Sequence, residues 1–234
     1  MMVETFVEGR VKPPGRRAWI AGNEHAAGQP LLVFLDGELY LERVGAEAVL
    51  DTLQADGRLP PAVAVFVSSE SQPARHTDYV CDPGYTRFLE EDLLPFVRGR
   101  HRGVDPSRTV LVGLSLSGLA AAYAALTARV WPVVICQSPS LWWEGERLTS
   151  GLPRVSTGSP KIWISVGDGE TSSGVTHSPS GLFQGVSQLD ACRRGADALR
   201  AAGYTVEYRE FHGGHEAACW RDDLVLALPW ATAV

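Results

Sequence analysis

The 234-residue chain has only four cysteines, Cys81, Cys136, Cys192 and Cys219, widely spaced and without a C-x-x-C pair. That spacing argues against a disulfide scaffold or a dithiol redox motif and fits reduced thiols. A polybasic run is missing too. The 21 Lys and Arg are scattered, 27 Asp and Glu outnumber them, and the formal charge is -6. Nucleic acid is therefore not an expected partner, because phosphate binding needs clustered cations. No apolar stretch approaches the roughly 20 residues that cross a bilayer, so no membrane partner is expected. Met1 to Val11 carries Glu4 and Glu8 and lacks the apolar core of a signal peptide, which reads as a cytoplasmic protein. Internal repeats, low-complexity tracts and linker-like composition are also wanting. A single domain over residues 1–234 is the expectation.

What is present is a regular alternation. Hydrophobic residues make up 45% of the chain, enough for an ordinary globular core. Thr5 to Val11 and Arg17 to Ala21 read as an entry hairpin around Pro13-Pro14-Gly15. Leu31 to Leu35, Ala62 to Val67, Val110 to Val112, Trp131 to Cys136 and Lys161 to Val166 are apolar runs of strand length. Helical spacing recurs between them, over Gly45 to Leu53, Gly84 to Arg98, Ala120 to Leu126 and Ser187 to Ala202. Thr205 to Phe211 alternates like a strand, and Ala217 to Ala233 reads as helical until Pro229. Ser68 to Asp82 and Thr171 to Gly185 read as loops, the second long enough to act as a lid or binding loop. The pattern predicts an α/β fold, with a mostly parallel sheet covered on both faces by helices.

The stretch Thr109 to Tyr123 runs from an apolar strand through Gly113-Leu114-Ser115-Leu116-Ser117-Gly118 into a helix of small residues. A strand that ends in a serine and re-enters a helix is the nucleophile-elbow arrangement. The usual pattern is G-x-S-x-G; here Gly113 fills the first small position and Ser117 the second. Ser115 is the candidate nucleophile, with the Leu116 backbone N–H as one oxyanion donor and another from the Asp36-Gly37-Glu38 turn.

Serine is a weak nucleophile unless an imidazole takes its proton, and a carboxylate then fixes the imidazole tautomer. Both follow at predicted strand ends: Asp168 and Glu170 after one strand, His212 and His215 after the next. The order Ser, acid, His is that of α/β-hydrolases. His215 follows Gly213-Gly214, a turn able to carry the ring over the sheet edge, and is preferred to His212. Asp168 and Glu170 are not separated by position. His212-x-x-His215 with Glu216 also has the form of a metal pair, but no third ligand cluster accompanies it. No metal and no cofactor are expected.

Taken together, several motifs identify a family. They are Leu35-Asp36-Gly37-Glu38, Phe88 to Pro95, the G-L-S-L-S-G elbow, Ser138 to Trp143, and Gly213-Gly214-His215-Glu216 followed by Cys219-Trp220-Arg221. The chain resembles, over roughly residues 30 to 230, the enterochelin (enterobactin) esterase-like family of α/β-hydrolases, distantly related to mycolyltransferases and feruloyl esterases. The resemblance implies an α/β-hydrolase fold, Ser115 as nucleophile and His215 as base. It implies Glu170 as the acid, three residues after Gly167, although some relatives look like Ser/His dyads. It also implies Glu38 as the second oxyanion N–H. One departure is Ser117 at a usual glycine; with the hydrolase pattern beginning almost at residue 1, neither the N-terminal domain of the cytoplasmic relatives nor an export signal is expected.

The expected partner is a small-molecule ester, with lactone, depsipeptide or aryl esters of a siderophore or other secondary metabolite as candidate substrates. Trp142, Trp143 and Trp220 offer aromatic faces for an aryl or catechol acyl group, and Arg75, Arg147 and Arg221 offer guanidinium groups for an anionic one. Two other readings share the same residues. An acyltransferase would pass the acyl group to an alcohol or amine, and a non-catalytic module would keep the fold for ligand binding alone.

Overall fold

The computed structural model describes residues 2–23, 27–152 and 158–233. Its strands are β1 (Val3–Glu8), β2 (Gly15–Ala21), β3 (Gln29–Phe34), β4 (Val63–Val67), β5 (Val104–Leu114), β6 (Val133–Gln137), β7 (Lys161–Gly167), β8 (Val175–His177), β9 (Leu182–Gln184) and β10 (Thr205–Phe211). Eight of them form one sheet in the order β1-β2-β4-β3-β5-β6-β7-β10. β1 and β2 pair antiparallel, as does β2 with β4, and every pair from β4 to β10 is parallel. β8 and β9 make a separate antiparallel hairpin.

The helices are α1 (Gly37–Leu39), which runs into a π-helical turn (Tyr40–Val44), α2 (Ala46–Ala55) and α3 (Gln72–Asp78). Next, α4 (Pro83–Arg87) passes through a π-helical segment (Phe88–Leu93) into α5 (Leu94–Arg100). The set closes with α6 (Ser115–Thr127), α7 (Trp143–Glu146), α8 (Gln188–Ala202) and α9 (Ala217–Thr232).

The runs Leu31 to Leu35, Val63 to Val67 and Val110 to Val112 of the central strands are apolar without interruption because both sheet faces are covered. Successive side chains then enter opposite cores. Leu31, Val33 and Leu35 pack with Phe88, Leu93, Leu119 and Leu199, whereas Leu32 and Phe34 pack with Leu50, Leu53, Leu224 and Leu228. α6 lies in the first core as a helix of small residues, with Ala121 and Ala124 fully buried.

The structure amends the sequence reading at four places. The region 68–82 contains α3, whose start is fixed by Ser71 accepting a hydrogen bond from the Ala74 N–H (3.3 Å); its largely polar sequence hid it. The loop 171–185 contains the β8–β9 hairpin. The helix expected over 84–98 spans 83–100 with its π-helical segment in the middle, which explains the five-residue spacings Phe88 to Leu93 and Leu89 to Leu94. α9 continues through Pro229 to Thr232. Proline cannot donate to the carbonyl four residues back, and that carbonyl, of Val225, accepts instead from Arg58 Nη2 at 2.9 Å.

All the polar clusters singled out in the sequence lie where parallel strands end. Such strand ends are where open α/β sheets bind ligands. Three residues within two positions of those ends, Asp36 after β3, Ser115 after β5 and Ser138 after β6, have positive φ, at 55°, 53° and 42°.

Candidate active site

The elbow is built by close backbone approach. A Cβ on Gly113 would lie 2.2 Å from the Ser117 carbonyl oxygen, and one on Gly118 would lie 3.0 Å from Pro139 Cα. Only glycine lets β5 and α6 come this near. Ser117 fits because its side chain turns back on the strand end: Oγ accepts from the Leu114 N–H (3.0 Å) and donates to the Leu114 carbonyl (2.8 Å). The residue that departs from the usual pattern therefore ties the turn together. Ser115, left between, is held in the left-handed region that non-glycine residues adopt at a cost of order 1–3 kcal/mol.

His215 reaches the serine from a loop that also depends on glycine. Gly213 has φ 138°, a Cβ there would lie 2.6 Å from Cys219 Sγ, and one on Gly167 would lie 2.4 Å from the Gly213 carbonyl. The loop thus lies directly against the end of β7, where Gly169 N–H donates to the Gly213 carbonyl (2.9 Å). Ser115 Oγ is 2.9 Å from His215 Nε2, and His215 Nδ1 is 2.6 Å from Glu170 Oε2. Glu170 Oε1 accepts from the Gly167 N–H (2.8 Å) and from Ser138 Oγ (2.6 Å).

The rival acid and histidine form their own pair nearby. Asp168 accepts from His212 Nδ1 (3.1 Å) and from the Gly213 N–H (3.0 Å), with 48% of the Asp168 side chain and all of the His212 side chain exposed. The Gly213 N–H, followed by His212, holds the Asp168 carboxyl below its ordinary range. Glu170, whose side chain is 3% exposed, is the carboxylate on the serine side. The two pairs run in parallel: one clamps the turn, and one faces Ser115.

Leu116 and Glu38 are the second residues of α6 and α1, where helical geometry leaves backbone N–H groups without an intrahelical acceptor. Glu38 is anchored through its carboxylate, which accepts from Ser68 Oγ and from the Ser69 N–H (3.2 Å).

The candidate substrate-binding residues separate by what already holds them. Arg75 makes a bidentate contact with Asp36 (2.7–3.0 Å) and borders the cleft beside Ser115. Removing one partner of such a buried pair costs about 3–5 kcal/mol, so holding the Asp36 turn is its first task. Arg221 gives its guanidinium to the carbonyls of Val44 and Arg43 and borders a different cleft, with Val49, Leu53 and Arg58. Arg147 pairs with Glu144 on the surface. Trp143 is buried, with Arg147 over its ring. Trp142 is buried too, donates to Gln188 Oε1 (2.5 Å), and has its face covered by the stacked ring of His177 at 5.2 Å. Trp220 is buried with its ring edge-on to His215 at 4.8 Å and its indole N–H donating to Ser138 Oγ (3.0 Å).

Two clefts meet at Ser115 and His215. One of about 250 Å³ is bounded by Glu170, Ser172, His177, Gln184 and Gln188. The other, of about 800 Å³, is bounded by Asp36, Glu38, Glu42, Arg75, Glu216 and Trp220. His177 and Ser138 had no role assigned from sequence. Ser138 lay within a motif that marks the family, but nothing in its spacing ties it to Glu170. Among the described residues, no group of three or more His, Cys, Asp or Glu could hold a metal ion, and no helix is long and apolar enough to cross a membrane.

Known proteins share this architecture. A family model described as "Putative esterase" matches residues 19–231. The iron(III) enterobactin esterase of Dickeya dadantii (strain 3937) is 33% identical over 92% of this chain and 51% of its own length. The iron(III) salmochelin esterase of Escherichia coli O6:H1 is 28% identical over 83% of this chain and 48% of its own. The chain thus spans about half the length of the curated relatives it matches. The solved enterobactin esterase of Shigella flexneri superposes with a TM-score of 0.83 at 27% identity, covering 99% of this chain and 59% of that one. A ferulic acid esterase matches in fold, with a TM-score of 0.77 at 20% identity and 98% of its chain covered. With its mostly parallel sheet, its helices on both faces and the family match over most of its length, the chain has the α/β-hydrolase fold and belongs to this esterase family.

Proposed function

We propose that the protein hydrolyses a carboxylic ester of a small molecule through an acyl-enzyme on Ser115. The observation that carries this reading is the unbroken contact from Ser115 Oγ to His215 Nε2 (2.9 Å) and from His215 Nδ1 to Glu170 Oε2 (2.6 Å). A neutral imidazole whose Nδ1–H donates to Glu170 has its Nε2 lone pair directed at the serine hydroxyl. Ser115 Oγ attacks the ester carbonyl as its proton passes to His215 Nε2. The oxyanion that forms accepts from the Leu116 and Glu38 N–H groups. Collapse expels the alcohol, which takes the proton from His215. Water then attacks the acyl-enzyme, gives its proton to the same nitrogen, and releases the carboxylic acid and the free serine.

The curated relatives bear the names of esterases of iron(III) enterobactin and iron(III) salmochelin. On that basis we assign the substrate to the lactone, depsipeptide or aryl esters of siderophore-like secondary metabolites. Ester hydrolysis is tested with p-nitrophenyl acetate and butyrate, comparing the wild type with Ser115→Ala and His215→Ala. Both variants are expected to fall to background, and unchanged rates in both would overturn the assignment.

A further inference from the structure

We infer that Ser138 is a positioning residue which, with Trp220 behind it, orients the Glu170 carboxylate that serves His215. The inference rests on the proposed role of Glu170. Its foundation is the direction of the hydrogen bonds. An indole N–H can only donate, so the Trp220 contact at 3.0 Å occupies Ser138 Oγ as an acceptor. The single hydroxyl proton of Ser138 then goes to Glu170 Oε1 at 2.6 Å. Together with the Gly167 N–H at 2.8 Å, it gives Oε1 two donors and leaves Oε2 for His215. A carboxylate held this way has one orientation, with Oε1 fixed by its two donors and Oε2 turned to the imidazole. Trp220 also meets the His215 ring edge-on, so one side chain touches the imidazole and, through Ser138, the far oxygen of its partner.

The backbone supports the same reading. Ser138 is buried and has φ 42°, a conformation in which a side chain is a cost and glycine would be none. Its N–H donates to the Ser165 carbonyl on β7, and its carbonyl accepts from Gln188 on α8. β7, α8 and Trp220 of α9 therefore hold a strained serine whose hydroxyl donates to Glu170 Oε1. The titratable groups around Glu170 are His215, the Cys192 thiol of α8, kept neutral by burial and then by Glu170 itself, and Asp168 on its own turn, engaged outward with Gly213 and His212.

The test compares wild type, Ser138→Ala, Ser138→Gly, Trp220→Phe and Ser138→Ala/Trp220→Phe on p-nitrophenyl butyrate across pH. Reactive sites are counted by titration with a fluorophosphonate. Ser138→Gly keeps the test open if alanine at positive φ fails to fold. Loss of the hydroxyl is expected to lower kcat per titrated site about tenfold, the size of one charge-assisted hydrogen bond, and to leave KM within about twofold. The hydroxyl stabilises the Glu170–His215 pair most before it takes up a proton, so its loss is expected to move the acidic limb of the kcat profile to higher pH. Trp220→Phe is expected to add nothing in the Ser138→Ala background. Unchanged kcat, or an activity loss that only follows the count of titrated sites with the limb unmoved, would overturn the inference. If Glu170→Gln is inactive while Ser138→Ala is unaffected, the inference alone fails. If Glu170→Gln also matches wild type, the acid assignment beneath it fails.

Discussion

Replacing Glu170 by Gln separates a working acid from a bystander, and the surroundings dictate which way the amide must sit. Glu170 Oε1 receives donors from Ser138 and Gly167, so the amide nitrogen cannot take that place without setting N–H against N–H. The amide oxygen stays there, and the NH₂ group faces His215 Nδ1. That nitrogen can only accept from it, and the imidazole proton moves to Nε2, where it meets the Ser115 hydroxyl and can no longer receive its proton. In the Ser-His-Asp template the same amide substitution lowers kcat by about 10⁴ with the geometry intact, equivalent to ~5.5 kcal/mol of barrier. We expect a loss of about 10³–10⁴ in kcat for p-nitrophenyl butyrate, with KM little changed and the fluorophosphonate reaction slowed in parallel. The fold should survive, since both donors to Oε1 keep their acceptor. Activity within about threefold of wild type would refute the reasoning and leave a Ser115–His215 dyad.

Asp168→Asn makes the matched control: we expect near-wild-type kcat, because its carboxylate serves Gly213 and His212. Its folded pKa lies below the ordinary value of 3.8, so its stabilising effect is present above that value and is lost as the pH falls through the folded pKa. Thermal melts should therefore separate wild type from Asp168→Asn at pH 6 and draw together as the pH is lowered through that folded pKa. Ser117→Ala removes the hydroxyl that serves both the Leu114 N–H and carbonyl in a buried turn. Urea unfolding should report a loss of about 1–3 kcal/mol, and no loss would mean that the elbow does not depend on this side chain.

The fold was legible because burial on two faces leaves an unmistakable trace. Leu31 to Leu35 and Ala62 to Val67 are apolar at every position, and in the sheet their side chains alternate between the two cores. Elements that bury little left less. α3 carries Gln, Arg, His, Thr and Asp, and only its Ser71 cap and Pro73 mark it. Pro229 read as a stop, because nothing in sequence announces that Arg58, 171 positions earlier, takes the freed carbonyl. In the candidate site, the proposed nucleophile Ser115 stood out from the strand-to-helix turn and the proposed base His215 from its glycines, and the fold brings the two to 2.9 Å. Glu170 came from the family resemblance, since Asp168 sits on the same turn; what parts them in space is burial. The aromatic residues illustrate the opposite limit. Trp142 and Trp220 were singled out as faces for a substrate, yet the His177 ring stacks on one and the His215 ring packs perpendicular to the other. Those contacts join residues 35 and 5 positions apart, and spacing alone cannot foresee them.

The central claim is that Ser115 forms a covalent bond during turnover. Intact-mass and peptide mass spectrometry after treatment with a fluorophosphonate tests it most directly. A single adduct on the peptide containing Ser115, blocked in step with loss of esterase activity and absent in Ser115→Ala, is the expected result. An adduct on another residue, or full esterase activity in Ser115→Ala, would contradict it.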